Sequence, residues 1–148
     1  MDTIKFSCDV QELNSVDGFP LSVGVLLNGE EYFKTTPVND TLKIEFDFPD
    51  EEDKEWKLEL VVSGKTNVHT VLDEEFNIVS STELLITNFN FDEINIDSVI
   101  LTQSLPYTHN FNNTGKTVTE KFYDTVGCNG TVTLDFTTPF YFWLLENM

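Results

Sequence analysis

The sequence predicts an all-β protein, an antiparallel β-sandwich of jelly-roll type with at most one or two short helices. Several segments alternate apolar and polar residues with a period of two, which is typical of strands that bury one face of a sheet. The chain contains no alanine, the best helix former, but carries 13 phenylalanines. Turn signals separate the segments at short intervals. The 148 residues suffice for one core, and no repeat or linker divides them, so we expect a single domain over residues 1–148.

Four segments alternate most strictly and are predicted to be strands, at residues 4–10, 42–48, 56–62 and 132–136. A register slip of one residue would expose the whole apolar set of such a strand, so we expect one face to be buried throughout. The side chains predicted to face inward are Ile4, Phe6, Ile44, Phe46, Leu58, Leu60, Leu134 and Phe136.

Weaker patterns predict further strands between these four. Asn28-Gly29, flanked by apolar residues, predicts a hairpin with a type I′ turn, in which both central residues need a positive φ. Several aromatic residues combine an apolar body with a polar group and therefore suit contacts, namely Tyr32, Tyr107, Tyr123, Tyr141 and the two tryptophans, although Trp56 alternates in phase with core positions. The weaker strands are predicted at residues 22–27, 31–36, 68–72, 76–79, 84–89, 98–102 and 117–122.

The C-terminal segment 140–145 is the densest apolar run. Thr138 can cap a helix and Pro139 suits its first turn, so we favour a short helix over a final strand. In a helix, Phe140, Trp143 and Leu144 would share one face. That face packs either on its own sandwich or on a neighbouring chain. The candidate partner-binding residues are Phe140, Tyr141, Trp143 and Leu144.

The charge of the chain excludes some partners. Asp and Glu number 26 against eight basic residues, all lysine, for a formal net charge of −18. Binding to a phosphate backbone needs positive charge, and anionic membranes attract basic segments. We therefore expect neither nucleic acid nor membrane as a partner.

Catalytic motifs are absent from the sequence. It contains no G-x-S-x-G, no phosphate-binding glycine loop and no Cys/His spacing suited to zinc. The histidines, His69 and His109, are expected to be structural or solvated, and Cys8 and Cys128 to be free thiols. We therefore expect a protein that is not an enzyme and has no catalytic residues.

Acidic clusters lie between the predicted strands and could either bind a cation or simply keep the protein in solution. Calcium takes six to eight oxygen ligands, often from loop carboxylates, although no EF-hand spacing is present. No cofactor other than calcium is expected. The candidate calcium ligands are Asp73, Glu74, Asp92 and Asp97.

Two stretches carry a resemblance to known proteins. Residues 61–97 (VVSGKTNVHTVLDEEFNIVSSTELLITNFNFDEINID) and 127–148 (GCNGTVTLDFTTPFYFWLLENM) resemble small acidic proteins of tailed cyanophages and related marine phages. The first stretch is also similar to calcium-dependent xylan-binding modules, which are jelly-roll sandwiches. Such modules are expected to carry a glycine in the turn where this chain has Phe76.

The resemblance to phage proteins implies a virion-associated structural or interaction protein, such as a capsid decoration or a tail-associated subunit. Its partners would be other virion subunits or further copies of itself. It would reside in the virion or the host cytoplasm, because the N-terminus lacks the features of a secretory signal peptide. The alternative is a calcium-assisted carbohydrate-binding module with a glycan as partner. A DNA mimic is disfavoured, because the acidic residues alternate along strands and cluster in loops.

Overall fold

The computed structural model describes residues 2–103, 105–110 and 117–147, in which strands dominate and the two α-helices are short. None of the described helices is long and apolar enough to cross a membrane. A 3₁₀ turn at Asn67–His69 precedes β6. In chain order the elements are β1 (Thr3–Leu13), β2 (Ser22–Leu27), β3 (Glu30–Pro37), β4 (Thr41–Pro49), β5 (Lys54–Ser63), β6 (Thr70–Leu72), β7 (Ile78–Ser81), β8 (Glu83–Phe91), β9 (Ile94–Asn95), α1 (Asp97–Gln103), β10 (Pro106–Asn110), β11 (Thr117–Lys121), β12 (Thr125–Val126), β13 (Gly130–Thr138) and α2 (Phe140–Asn147).

Two antiparallel sheets form the sandwich, as the sequence predicted. One has the strand order β12-β8-β1-β4, with β9 paired to β8, and the other has the order β11-β10-β13-β5-β2-β3. Within the described residues, β6 and β7 pair only with each other. The chain passes from the second sheet to the first between β11 and β12 and returns to the second at β13, so these elements bring the two sheets together at one edge.

The predicted inward set forms the core, with one partial exception. Seven of the eight side chains are buried. Phe46 is only partly buried, although its ring centroid lies 5.1 Å from that of Phe6. The Asn28-Gly29 hairpin is also confirmed, since these residues join β2 to β3 with φ values of 51° and 81°.

Three elements differ from what the sequence predicted. Residues 98–102 belong to helix α1, where Ile96, Val99 and Ile100 follow a spacing of three and four residues and are buried. Strand β7 begins at Ile78, and Phe76 occupies the turn before it with a φ of 65°. Strand β10 was not predicted, because its tyrosine, threonine and histidine do not form an obvious apolar alternation.

The C-terminal segment forms the helix that the sequence favoured, and it packs on its own sandwich. Phe140 and Trp143 are buried against the core, whereas Phe142 is exposed. The Thr138 hydroxyl accepts a hydrogen bond of 3.1 Å from the Trp56 indole. The Phe140 amide donates to an Asp50 carboxylate oxygen at 2.9 Å, which satisfies one of the unpaired amides at the helix start.

Candidate functional site

The first pair of candidate calcium ligands lies in the turn between β6 and β7. One carboxylate oxygen of Asp73 accepts hydrogen bonds from the Glu75 and Asn77 amides, both at 2.9 Å. These bonds, above all the one from Asn77, lower the pKa of Asp73 below its ordinary value. Asp73 therefore shapes the turn, and Glu74 stands beside it in the sequence with its side chain exposed.

The other two candidate ligands lie on different elements. Asp92, between β8 and β9, accepts a hydrogen bond from the Lys5 amide at 2.8 Å and another from the Tyr141 hydroxyl at 3.2 Å. Asp97, at the start of α1, accepts hydrogen bonds from the amides of Asn88 and Phe89 at 3.1 and 2.7 Å.

These carboxylates do not combine into a cation site. Across residues 2–103, 105–110 and 117–147, no group of three His, Cys, Asp or Glu side chains is placed to hold a metal ion. The four candidates are distributed over three places in the fold, and Asp73, Asp92 and Asp97 each bond to backbone amides. The four candidate ligands therefore do not come together in one group of the described residues, and calcium binding stays a prediction.

The two histidines occupy different environments. His69 is buried, and its Nδ1 accepts a hydrogen bond from the Thr66 amide while its Nε2 donates to the Phe19 carbonyl oxygen at 2.7 Å. Because both ring nitrogens bond to backbone, His69 joins two segments of the fold. His109 is also buried, but it lines a surface concavity.

That depression, here called the Tyr107 concavity, has a volume of about 380 Å³. It lies where β10 and β11 of one sheet approach β12 and the start of β8 from the other. Its lining combines aromatic rings with acidic, basic and hydroxyl groups. The lining residues are Glu83, Tyr107, His109, Glu120, Lys121, Tyr123, Thr125, Gly127 and Cys128.

Pairing of β10 with β11 sets the polar wall of this concavity. Tyr107 and His109 are two residues apart on β10 and so share a face, with ring centroids 4.5 Å apart. Glu120 is directly opposite Tyr107 in the register. Its carboxylate accepts a hydrogen bond of 2.7 Å from His109 Nε2, while more than half of the Glu120 side-chain surface remains exposed.

The floor of the concavity is held by Tyr107. Its hydroxyl donates to the Cys128 carbonyl oxygen at 2.7 Å and accepts from the Cys128 amide at 2.9 Å. Burial raises the pKa of Tyr107 above its ordinary value, so the hydroxyl stays protonated and keeps its donor role at neutral pH. Cys8 is buried and Cys128 half-buried, and both are free thiols, as expected.

The rim carries the exposed groups. Tyr123 keeps 63% of its surface in solvent, and the Lys121 ammonium lies 5.1 Å from the centroid of its ring. An aromatic face beside a few directed polar groups is the arrangement that binds a small polar molecule with an apolar face. A larger depression of about 530 Å³ lies near Asn28. It offers no exposed aromatic face, because its aromatic residues Trp56, Phe136 and Trp143 are buried.

Sequence reasoning found only part of this site. Tyr107 and Tyr123 were identified as contact residues because of their polar tips, but His109 and Glu120 were not. The period-two spacing of Tyr107 and His109 was a usable signal, because it places both side chains on one face once β10 is recognised as a strand.

The fold is that of a β-sandwich also found in a carbohydrate-binding module. The structure aligns with the solved structure described as "vCBM60 in complex with galactobiose", with a TM-score of 0.50 and 8% sequence identity. The alignment covers 87% of this chain and 95% of that one. The sequence matches no protein-family model and no curated protein.

Proposed function

We propose that this protein is a non-catalytic carbohydrate-binding module that binds a neutral oligosaccharide in the Tyr107 concavity. The observation that carries the proposal is the Tyr123 ring, which is 63% exposed and has the Lys121 ammonium over one face, in a concavity that Glu120 also lines. The solved neighbour, which holds galactobiose, supports the ligand class, since its fold covers most of this chain.

The chemistry of the lining matches a sugar with one apolar face and several hydroxyls. The Tyr123 ring offers a stacking surface for the C–H face of a pyranose. The Glu120 carboxylate accepts hydrogen bonds from hydroxyls, and the Lys121 ammonium donates to sugar oxygens. Glu83 and Glu120 in the lining, together with the net charge of −18, disfavour uronic acids and sulfated glycans, because like charges repel.

Calorimetric titration of the full chain with neutral galacto- and xylo-oligosaccharides tests the proposal. Tyr123→Ala should weaken binding at least tenfold, because loss of the main stacking residue of a binding site typically costs about 2 kcal/mol or more. Its melting temperature should not change, because the side chain is largely exposed. Silence across the panel, or equal affinity of Tyr123→Ala and wild type, would reject the site.

Two control variants make the result specific. Tyr141→Ala removes a half-exposed tyrosine from α2, away from the concavity, and should leave sugar affinity unchanged. Glu120→Gln keeps the shape of the side chain but removes its charge, and it should weaken binding less than Tyr123→Ala does. The role of calcium stays a prediction, and the same titration in the presence of calcium or of a chelator tests it.

A protein-interaction role is the second candidate, and exposed apolar side chains favour it. Phe142 and Leu145 on α2 keep 66% and 71% of their surface in solvent, next to the half-exposed Tyr141. The expected association with a virion, as a capsid decoration or tail-associated subunit, stays a prediction. Mass spectrometry of purified virions tests it, since detection in infected-cell lysate but never in virions would exclude that role.

A further inference from the structure

The β6–β7 hairpin, residues 70–81, holds apolar side chains in solvent on both of its faces. Val71, Leu72, Phe76, Ile78 and Val79 keep between 47% and 82% of their surfaces exposed. Val71 and Leu72 are adjacent on β6 and so point to opposite faces, and Ile78 pairs with Leu72. A register shift in the pairing with β7 lies between these two positions. A hairpin lying on the sandwich would expose one face, whereas this hairpin exposes two.

The base of the hairpin is firmly attached to the sandwich. The Thr82 amide donates to the His69 carbonyl oxygen at 2.9 Å, and the Thr82 hydroxyl donates to the Asn14 carbonyl oxygen at 2.7 Å. The Lys65 ammonium donates to the Ser81 hydroxyl at 2.7 Å. The hairpin therefore projects from a base that is hydrogen-bonded to the sandwich.

The turn of the hairpin presents Phe76 at a cost to the fold. Asp73 accepts the amides of Glu75 and Asn77, and the Asp73 carbonyl oxygen accepts the Phe76 amide at 3.1 Å. This geometry gives Phe76 a φ of 65°, a conformation that favours glycine, and leaves its ring 82% exposed. The Phe76 ring is therefore an apolar surface that this chain leaves uncovered, on a backbone conformation that a phenylalanine does not favour.

We propose that this hairpin inserts into an apolar groove of a partner protein whose rim carries lysine or arginine, with Phe76 as the anchor. A groove covers both apolar faces, which a flat surface cannot do. The turn carries three consecutive carboxylates, at residues 73–75, and residues 70–81 contain no lysine or arginine, so a basic rim is the complementary charge. A second copy would bring the same carboxylates together, and a membrane would bury them next to Phe76.

The proposal is tested by selecting peptides from a displayed random-peptide library on the immobilised full-length chain. Selected peptides should combine apolar residues with an excess of Lys and Arg, and their affinity should fall as salt rises. Phe76→Gly should weaken binding at least tenfold while its melting temperature stays equal or rises. Phe76→Asn, which also tolerates a positive φ, should behave in the same way. The control Val118→Ala removes an exposed apolar side chain from β11, outside the hairpin, and should bind as wild type does.

Four results would overturn the proposal. The first two are that the library yields no peptide whose binding depends on Phe76, and that the selected peptides carry no excess of Lys and Arg. The third is that the chain dimerises in gel filtration and that Phe76→Gly abolishes the dimer. The fourth is that the chain sediments with phosphatidylcholine vesicles and that this depends on Phe76. The last two would assign the hairpin to a second copy or to a membrane. Sugar binding depends on Tyr123 and peptide binding on Phe76, so the two proposals can fail separately.

Discussion

Helix α2 and the β6–β7 hairpin are both rich in apolar residues, but the fold treats them differently. Phe140 on α2 is fully buried and stacks on Phe91 with ring centroids 4.1 Å apart, whereas Phe76 on the hairpin is 82% exposed. The helix presents one apolar face to an open end of the core, and the hairpin turns away from it. The comparison shows that apolar content alone does not determine burial. A side chain is buried only where the rest of the fold provides a complementary surface.

The largest expected effect on stability comes from a buried residue of α2. Phe140→Ala should lower the free energy of unfolding by about 3–5 kcal/mol, because it leaves a cavity among stacked aromatic rings. Phe142→Ala, two residues further along the same helix, should change it by less than about 0.5 kcal/mol, because that ring is largely exposed. Urea denaturation of both variants measures the difference. Equal stabilities would show that α2 is not part of the core.

A smaller effect is expected where α2 is attached. Asp50→Ala removes the acceptor of the Phe140 amide and should cost about 0.5–2 kcal/mol, as loss of a helix cap does. Glu52→Ala, an exposed residue of the same acidic loop, changes the net charge equally and serves as the control. Urea denaturation measures the free energy of unfolding of both variants. An equal loss of stability in the two would assign the effect to the change in net charge and not to the helix cap.

On the exposed side, a substitution should stabilise the protein slightly. Phe76→Gly should raise the free energy of unfolding by about 0–1 kcal/mol, because relief of the left-handed conformation outweighs the extra entropy of glycine in the unfolded chain. Phe76→Ala removes the same ring but keeps the unfavourable φ, so it should be less stable than Phe76→Gly by about 1 kcal/mol. Thermal denaturation of the pair measures this order, and the reverse order would mean that the φ at residue 76 is not positive.

The smallest effect is local and depends on pH. The lowered pKa of Asp73 means that its charged form is favoured in the folded hairpin. The stabilisation is therefore complete above the unfolded pKa of about 3.9 and is lost as pH falls through the lower folded pKa. NMR chemical shifts of the Glu75 and Asn77 amides should change in that acidic range. Asp73→Asn, which cannot titrate, should remove the dependence, and a titration that persists in this variant would assign it elsewhere.

Strand positions followed from the sequence where one face alternates with the other. Apolar residues occupy every second position in β1 and β5, and those on the apolar face, such as Phe6 and Leu58, are buried as this period predicts. The same reasoning failed at residues 98–102, because Val99 and Ile100 are adjacent β-branched residues that suit a strand as well as a helix. In the structure the Ile100 amide donates to the Ile96 carbonyl oxygen at 2.9 Å, and these two side chains, four residues apart, are both buried, as a helix requires.

Only some residues of the candidate site could be predicted from the sequence. Tyr123 could be identified from its residue type, but the contact between His109 and Glu120 depends on the register of β10 with β11. The bond from Tyr107 to Cys128 likewise joins residues 21 positions apart. Such contacts depend on strand pairing and on the return of the chain between the sheets, which residue types and local spacing do not specify.

The sequence by itself determined that this chain forms an antiparallel β-sandwich, because a period of two can bury its apolar residues only in a sheet with one covered face. It also determined the turn at Asn28-Gly29, because a local backbone conformation depends on local residues. Only the tertiary structure decided that Phe140 is covered and Phe76 is not, and that Tyr107, Glu120 and Tyr123 line one concavity. The physical reason is that burial and convergence are properties of surfaces formed by residues distant in the chain.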